Sequence, residues 1–327
     1  MIRKAAFIAI AVTACAPAGN AQPATGLPVE WTISPAEPIG GEPAVQLALS
    51  HRERGGSSNN SEPWRLRELA GLDSAALASA SGAPVQFRIV RQAGRLDCEG
   101  IARRQRGSGD CLFAPDGAFA AALERRGIGR PTLRQQYQLA VQDVGLPLID
   151  ELERQSYPRP TVDQLVALGI HGASVGFLRE LDRAGYRLGS LDDLVAFRIH
   201  GVTPAFIAEL AAISPRYRRL PAEDLVAFRI HGVTSDRVAR YAQLGYRDLT
   251  PDQLVAMSIH GVTPDYIEAM GALGYRALAV DQMVSMRIHG VTPDYVRAFK
   301  ARGYTPPDAD QLVRMRISGF DPGKRRD

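Results

Sequence analysis

"TPDQLVAMSIHGVTPDYIEAMGALGY", residues 250 to 275, carries two start signals and two stop signals for helices in one short stretch. Thr250 offers an N-cap oxygen, Pro251 suits the first helical position, and Gln253 stands three residues after the cap, as in a capping box. Gly261 follows His260 where a helix ends in a left-handed residue. Thr263 and Pro264 then restart the helix, Asp265 sits at the positive end of its dipole, and Gly274 stops it before Tyr275. The spacing predicts two helices of about nine to eleven residues, too short to stand alone in water. Their apolar positions, Leu254, Val255, Met257 and Ile259 among them, call for a neighbouring unit to pack against.

Such units are present. Tyrosines at 157, 186, 217, 246, 275 and 304 end successive segments at spacings of 29, 31, 29, 29 and 29 residues. In the same frame fall His171, His200, His231, His260 and His289, each followed by a glycine: Gly172, Gly201, Gly232, Gly261 and Gly290. Residues 131 to 157 form a degenerate first unit with Gln142 in the histidine frame, and the last half-unit carries Ser318 there. A fixed period in this range marks a repeat array, so residues 115 to 327 read as an α-solenoid of helix-turn-helix repeats with atypical ends.

Residues 28 to 114 follow a different period. "AVQLALSHRE", "PVQFRIVRQ", "GRLDCEGIAR" and "GDCLFAP" read as strands, and in the second of these Val85, Phe87 and Ile89 alternate with Gln86 and Arg88. The expectation is a small antiparallel sheet of four or more strands, with 66 to 80 as a partly helical connection. "RGGSSNNSEP", 54 to 63, reads as a mobile loop. The fold class is therefore α+β: an antiparallel β region, then the helical array.

The first residues, "MIRKAAFIAIAVTACAPAGNAQ", have the form of a secretory signal: Arg3 and Lys4, an apolar stretch to Ala14, then small residues. Two exits are open. Cleavage after Ala21 would release a soluble periplasmic protein, whereas "VTAC" resembles a lipobox that would make Cys15 a lipidated N-terminus. Export bears on Cys98 and Cys111, which flank a polar segment that would turn near Gln105 and set them opposite one another. In an oxidising compartment this predicts a disulfide. A free thiol pair or half of a metal site are the competing readings, and the absence of a nearby histidine counts against the metal.

The net charge of +4 falls near +2 without Arg3 and Lys4, too small an asymmetry to argue for nucleic acid. "HGVTP" has some likeness to the helix-hairpin-helix DNA motif, but the second glycine of that turn is missing. The histidines do not form a metal ladder: equivalent positions in stacked helices lie about 10 Å apart, whereas a metal needs its ligands at about 2 Å. An imidazole in the last helical turn is expected instead to cap carbonyls or bond across to the adjoining helix. Arg198, Arg229, Arg287 and Arg316 before the Ile-His or Ile-Ser pair imply a solvated face balanced by nearby carboxylates. Phe206, Tyr266 and Tyr295 suit core or groove-lining positions, and Arg198, Arg229 and Arg287 with Tyr266 and Tyr295 are the candidate binding surface. No zinc, phosphate-loop, nucleophile-elbow or dinucleotide motif occurs, and Asp192 with Asp193 suits a helix start. No catalytic residue, metal or cofactor is assigned.

The segments "LVAFRIHGVTP", "ALGY" and "VQFRIVRQAGRLDCEG" resemble a poorly characterised family of bacterial exported repeat proteins. Similar repeats occur in the tails of membrane metallopeptidases of the beta-lactam-sensor type, whose zinc motif and membrane helices are missing here. The resemblance implies an extracytoplasmic sensing or interaction module and transfers no functional residue. The expectation is a non-enzymatic, exported protein that binds a protein or cell-envelope component. It would touch the membrane only through an N-terminal lipid. The alternatives are a regulatory partner of a membrane sensor peptidase and a cell-envelope enzyme with an unrecognised site.

Overall fold

The structure, a computed structural model, describes residues 26–53, 56–305 and 307–322. The expected export signal and Cys15 lie outside the described residues. Contacts divide the chain into two units, one of residues 1–89 with 95–115 and the other of 90–94 with 116–327.

The first unit is a six-stranded antiparallel sheet. Its strands are β1 (Leu27–Pro35), β2 (Ala44–Glu53), β3 (Gly56–Arg65), β4 (Ala83–Arg91), β5 (Gly94–Arg103) and β6 (Arg106–Pro115), in the order β3-β2-β1-β6-β5-β4. Val29, Trp31 and Ile33 of β1 alternate inward with Val45, Leu47 and Leu49 of β2, and all six are buried, the period-two pattern of a one-sided sheet. The Trp31 ring meets Phe87 edge-on at 5.1 Å, and its Nε1 donates to the Glu99 carbonyl at 3.0 Å. Gly100 makes room for it: a Cβ there would come within 2.6 Å of the indole. Between β5 and β6, Arg104 and Gln105 both take positive φ, the requirement of a tight hairpin turn. That register sets Cys98 opposite Cys111, and the two are joined in a disulfide with Cα atoms 4.0 Å apart.

One expectation fails here. Residues 54 to 63 were to be a mobile loop, yet Gly56–Arg65 is a strand paired with β2 from Glu53 opposite Gly56 to Ala44 opposite Arg65. Backbone pairing does not require apolar side chains, and Trp64, buried opposite Val45, anchors the end of this otherwise polar edge strand. The connection 66 to 80 is partly helical as expected, with a 3-10 turn at Leu66–Glu68 and α1 at Ser74–Ala78.

The second unit is helical. After α2 (Gly117–Arg125) the helices come in pairs. The first members are α3 (Leu133–Val141), α5 (Val162–Ile170), α7 (Leu191–His200), α9 (Ala222–Ile230), α11 (Pro251–Ile259), α13 (Val280–Ile288) and α15 (Ala309–Ile317). The second members are α4 (Leu146–Arg154), α6 (Val175–Arg183), α8 (Pro204–Ile213), α10 (Ser235–Gln243), α12 (Pro264–Ala272) and α14 (Pro293–Ala301). Each first member packs against the next first member all the way from α3 to α15, and α8, α10, α12 and α14 do likewise among the second members. Every helix from α3 to α15 has nine or ten residues. Capping boxes form at Thr161 with Gln164 and Thr250 with Gln253, while Thr203, Thr263 and Thr292 accept from the third helical N–H. The glycine after each repeat histidine takes φ between 68 and 71°, the left-handed stop that a side chain would strain. In the degenerate unit Asp143 occupies that position at φ 52°, a conformation Asp tolerates better than most residues. The two extra residues between Tyr186 and Tyr217 are absorbed by a 3-10 turn at Pro215–Arg219.

Candidate functional site

The five histidines mark the junction between the members of each pair, but not in the way the sequence suggests. No imidazole hydrogen bond is made by any of the five among the described residues. It is the backbone of the histidine that acts. Arg198 Nε donates to the His171 carbonyl at 3.2 Å, Arg229 to His200 at 3.4 Å, Arg287 to His260 at 3.3 Å and Arg316 to His289 at 3.4 Å. Each arginine thus caps an orphan carbonyl at the end of the previous first helix, where the dipole also favours a cation. The expected capping role of the ring is corrected to this one.

The same guanidiniums stack on aromatic rings. Their central carbons lie 5.0 Å from the ring centre of Phe177, 5.1 Å from Phe206, 4.9 Å from Tyr266 and 4.7 Å from Tyr295, in that order, within cation-π range. A clasp of three parts results: a histidine carbonyl, the ring six residues after it, and an arginine from the next unit. The arginines were expected to be balanced by carboxylates. Among the described residues, Arg198, Arg229, Arg287 and Arg316 pair with none.

The His231 junction departs from the pattern and shows the same logic. Arg237 stands where the other units have a ring, and Ser258 where the next unit has its arginine. Ser258 Oγ donates to the His231 carbonyl at 2.5 Å, and Arg237 Nη1 donates to Ser258 Oγ at 2.8 Å. The guanidinium has changed sides of the junction without being lost. This exchange is visible in the aligned repeats as two departures that compensate, a signal that reading the residues singly missed.

Of the candidate surface, Tyr266 and Tyr295 do not lie on a surface. Both are buried, at 6 and 7% exposure, and burial pushes the Tyr266 phenol up to about 12. They therefore stay protonated and donate to carbonyls of the next unit, Tyr266 to Val291 at 3.1 Å and Tyr295 to Phe320 at 2.9 Å. Tyr241 reaches the equivalent Val262 carbonyl at 2.6 Å from one turn further along its helix. The unit-ending tyrosines form a second ladder, Tyr217 to Leu249 at 2.9 Å and Tyr246 to Leu278 at 3.0 Å, with Tyr186 and Tyr275 bonding Leu220 and Pro307 likewise.

What is exposed instead is isoleucine. Ile170, Ile199, Ile230, Ile259, Ile288 and Ile317, each immediately before the histidine frame of its unit, are 51 to 64% exposed, whereas Val141 in the same frame of the degenerate first unit is buried. Leu254 and Met257 are buried as expected, but Ile259 points away from the core at the last turn of α11. From Ile199 onward each of these isoleucines directly follows the residue that bonds the histidine carbonyl of the preceding unit: Arg198, Arg229, Ser258, Arg287 or Arg316.

One hollow, of 790 Å³, is an open groove on the sheet lined by Arg88, Asp97, Glu99 and Asp110. There the hydrogen bond from Arg88, joined by one from Arg95, holds Asp97 below the usual carboxylate range. Another, of 460 Å³, lies beside Gly169, Val144 and Leu148, where the arginine frame holds a glycine and the ring frame a leucine. Glu151 is buried and accepts from Arg154, from Arg179 at 3.0 Å and from Gln155 at 2.7 Å. The Arg154 bond foremost lowers its pKa to about 2. This is a brace between α4 and α6. Among the described residues no group of three His, Cys, Asp or Glu side chains could hold a metal ion, and no single helix is long and apolar enough to cross a membrane.

No protein-family model matches the chain, and no curated protein is detectably similar to it.

Proposed function

We propose that the protein is an exported, non-enzymatic binding module whose helical pairs form an α-solenoid and present one edge to a partner in the cell envelope. The observation that carries this reading is the set of six isoleucines, exposed at the same frame in six successive units. Exposed apolar side chains scattered singly need no explanation, but a row of them marks an interaction surface. The disulfide between β5 and β6 suits an oxidising compartment. Likeness to the tails of sensor-type membrane peptidases favours an envelope component as the partner.

The test is site-specific photo-crosslinking in the producing cell. A benzoylphenylalanine placed at Ile199, Ile230 or Ile259 should give a discrete adduct, and one placed at Glu268 or Lys300 on the second helices should not. Adducts from neither set, or equally from both, would refute the reading.

A further inference from the structure

The row of isoleucines has a spacing and a charge that together describe its partner. Neighbouring helices pack about 8–10 Å apart, so an isoleucine recurs about once in that distance. A polypeptide in the polyproline II form has three residues per turn and rises about 3.1 Å per residue, presenting the same face about every 9.3 Å. The two periods match if every third residue of the partner is apolar.

Charge supplies the second argument. Each of five consecutive junctions holds one guanidinium: Arg198, Arg229, Arg237, Arg287 and Arg316. None of these meets a carboxylate among the described residues. Asp265 and Asp294, on the helices that follow, are already taken by Arg240 and Arg297. Four of the five guanidiniums are stacked on a ring with Nε engaged, which fixes the side chain and leaves its outer N–H groups as a preorganised anion receptor. Each of these units contributes a single exposed isoleucine in this frame, an amount of apolar surface that suits a chain. A lipid surface would reward apolar area instead.

From these observations we infer that the edge is a track for an extended acidic segment of another protein, with an aliphatic side chain at every third position and carboxylates between. The inference rests on the solenoid reading above and names its ligand chemistry.

The experiment is fluorescence anisotropy with the full chain and three labelled peptides: six copies of Leu-Pro-Glu, of Ser-Pro-Glu and of Leu-Pro-Lys. The first should bind at least about tenfold more tightly than either of the others, and its affinity should fall several-fold from low to physiological salt. The triple variant Ile199→Ser, Ile230→Ser, Ile259→Ser should lose about tenfold in affinity with unchanged melting. Because the arginines also brace the junctions, the salt dependence of the unaltered protein tests their part without substitution. Equal binding of the three peptides overturns the inference. So does binding only to vesicles of phosphatidylcholine and phosphatidylglycerol in equal parts, or self-association that the triple variant abolishes. If the peptides fail while crosslinks from the isoleucine row persist, the ligand chemistry is wrong and the binding edge stands.

Discussion

The exchanged clasp at His231 permits a test in which two changes together should do less harm than either alone. Ser258→Arg by itself removes a hydroxyl that donates to the His231 carbonyl and brings a second guanidinium against Arg237. The lost bond is worth about 1 kcal/mol, and two like charges near 4 Å add about 1 kcal/mol more in a solvated site. Arg237→Phe alone removes the bond to Ser258 and leaves a ring with no cation over it, at a cost of about 1 kcal/mol. The double variant recreates the arrangement of Arg198 over Phe177 and Arg229 over Phe206. There the stacking contributes about 0.5–1 kcal/mol and the bond to the carbonyl a similar amount. The two single costs sum to about 3 kcal/mol, so with the double variant within about 1 kcal/mol of the unaltered protein a coupling of about 2–3 kcal/mol is expected. Repeat arrays can unfold in parts, so the readout is urea denaturation followed by circular dichroism together with amide exchange in α9 to α12. Additivity of the two changes within about 0.3–0.5 kcal/mol would refute the clasp as an energetic unit.

Five further outcomes follow from the structure. His231→Ala and His289→Ala should change stability by less than about 0.5 kcal/mol, measured by thermal melting, since only the backbone of these residues is engaged. Glu151→Ala should cost about 1.5–3 kcal/mol for its charge-assisted bonds, toward the low end because Arg154 and Arg179 are half exposed. Since the folded pKa of Glu151 is depressed from 4.5 to about 2, its contribution is complete above about pH 4.5 and lost as pH falls toward 2; Glu151→Gln should flatten the acid titration of stability across that window. Cys98→Ser with Cys111→Ser should destabilise the β unit by about 2–4 kcal/mol, read by denaturation with and without reductant. Gly261→Ala, at φ 68° and with Arg287 Nη2 3.0 Å from the new methyl, should cost about 1–2 kcal/mol in the same melting assay.

Local signals were legible wherever the interaction is local. Thr250 caps α11 and Gly261 ends it because both effects act within one helical turn, and the turn at Gln105 fixes the disulfide by symmetry of the hairpin alone. Legibility failed where long-range pairing overrides local character. Strand β1 escaped notice because Pro28 and Pro35 look like loop punctuation, although Leu27, Val29, Trp31 and Ile33 alternate cleanly. Strand β3 escaped because Ser and Asn carry no apolar signal, while its hydrogen bonds to β2 need none. In the array, the partners of Arg287 are a carbonyl 27 residues earlier and a ring 21 residues earlier, beyond any helical period. Tyr266 and Tyr295 read equally as core and as binding surface from their own positions, because the guanidiniums that cover their rings come from 21 residues further on.

Isoleucine is not what the helix ends ask for. Its branched side chain lowers helix propensity below that of alanine, leucine or arginine, and at more than half exposure it contributes little to the core. The neighbouring frames are explained from within: the carbonyl of the histidine receives the arginine, the glycine takes the left-handed turn, and the ring carries the guanidinium. The isoleucine frame is left more than half exposed, yet it holds the same residue in the six units that follow the degenerate first one, where Val141 stands buried instead, and these include the units with Ser258 or Gly169 in the arginine frame. A position kept uniform across departures in its neighbours answers to something the units share, and packing between units is not it. The remaining common factor is a ligand that spans them, which is why the edge, rather than any single junction, is the place to look for function.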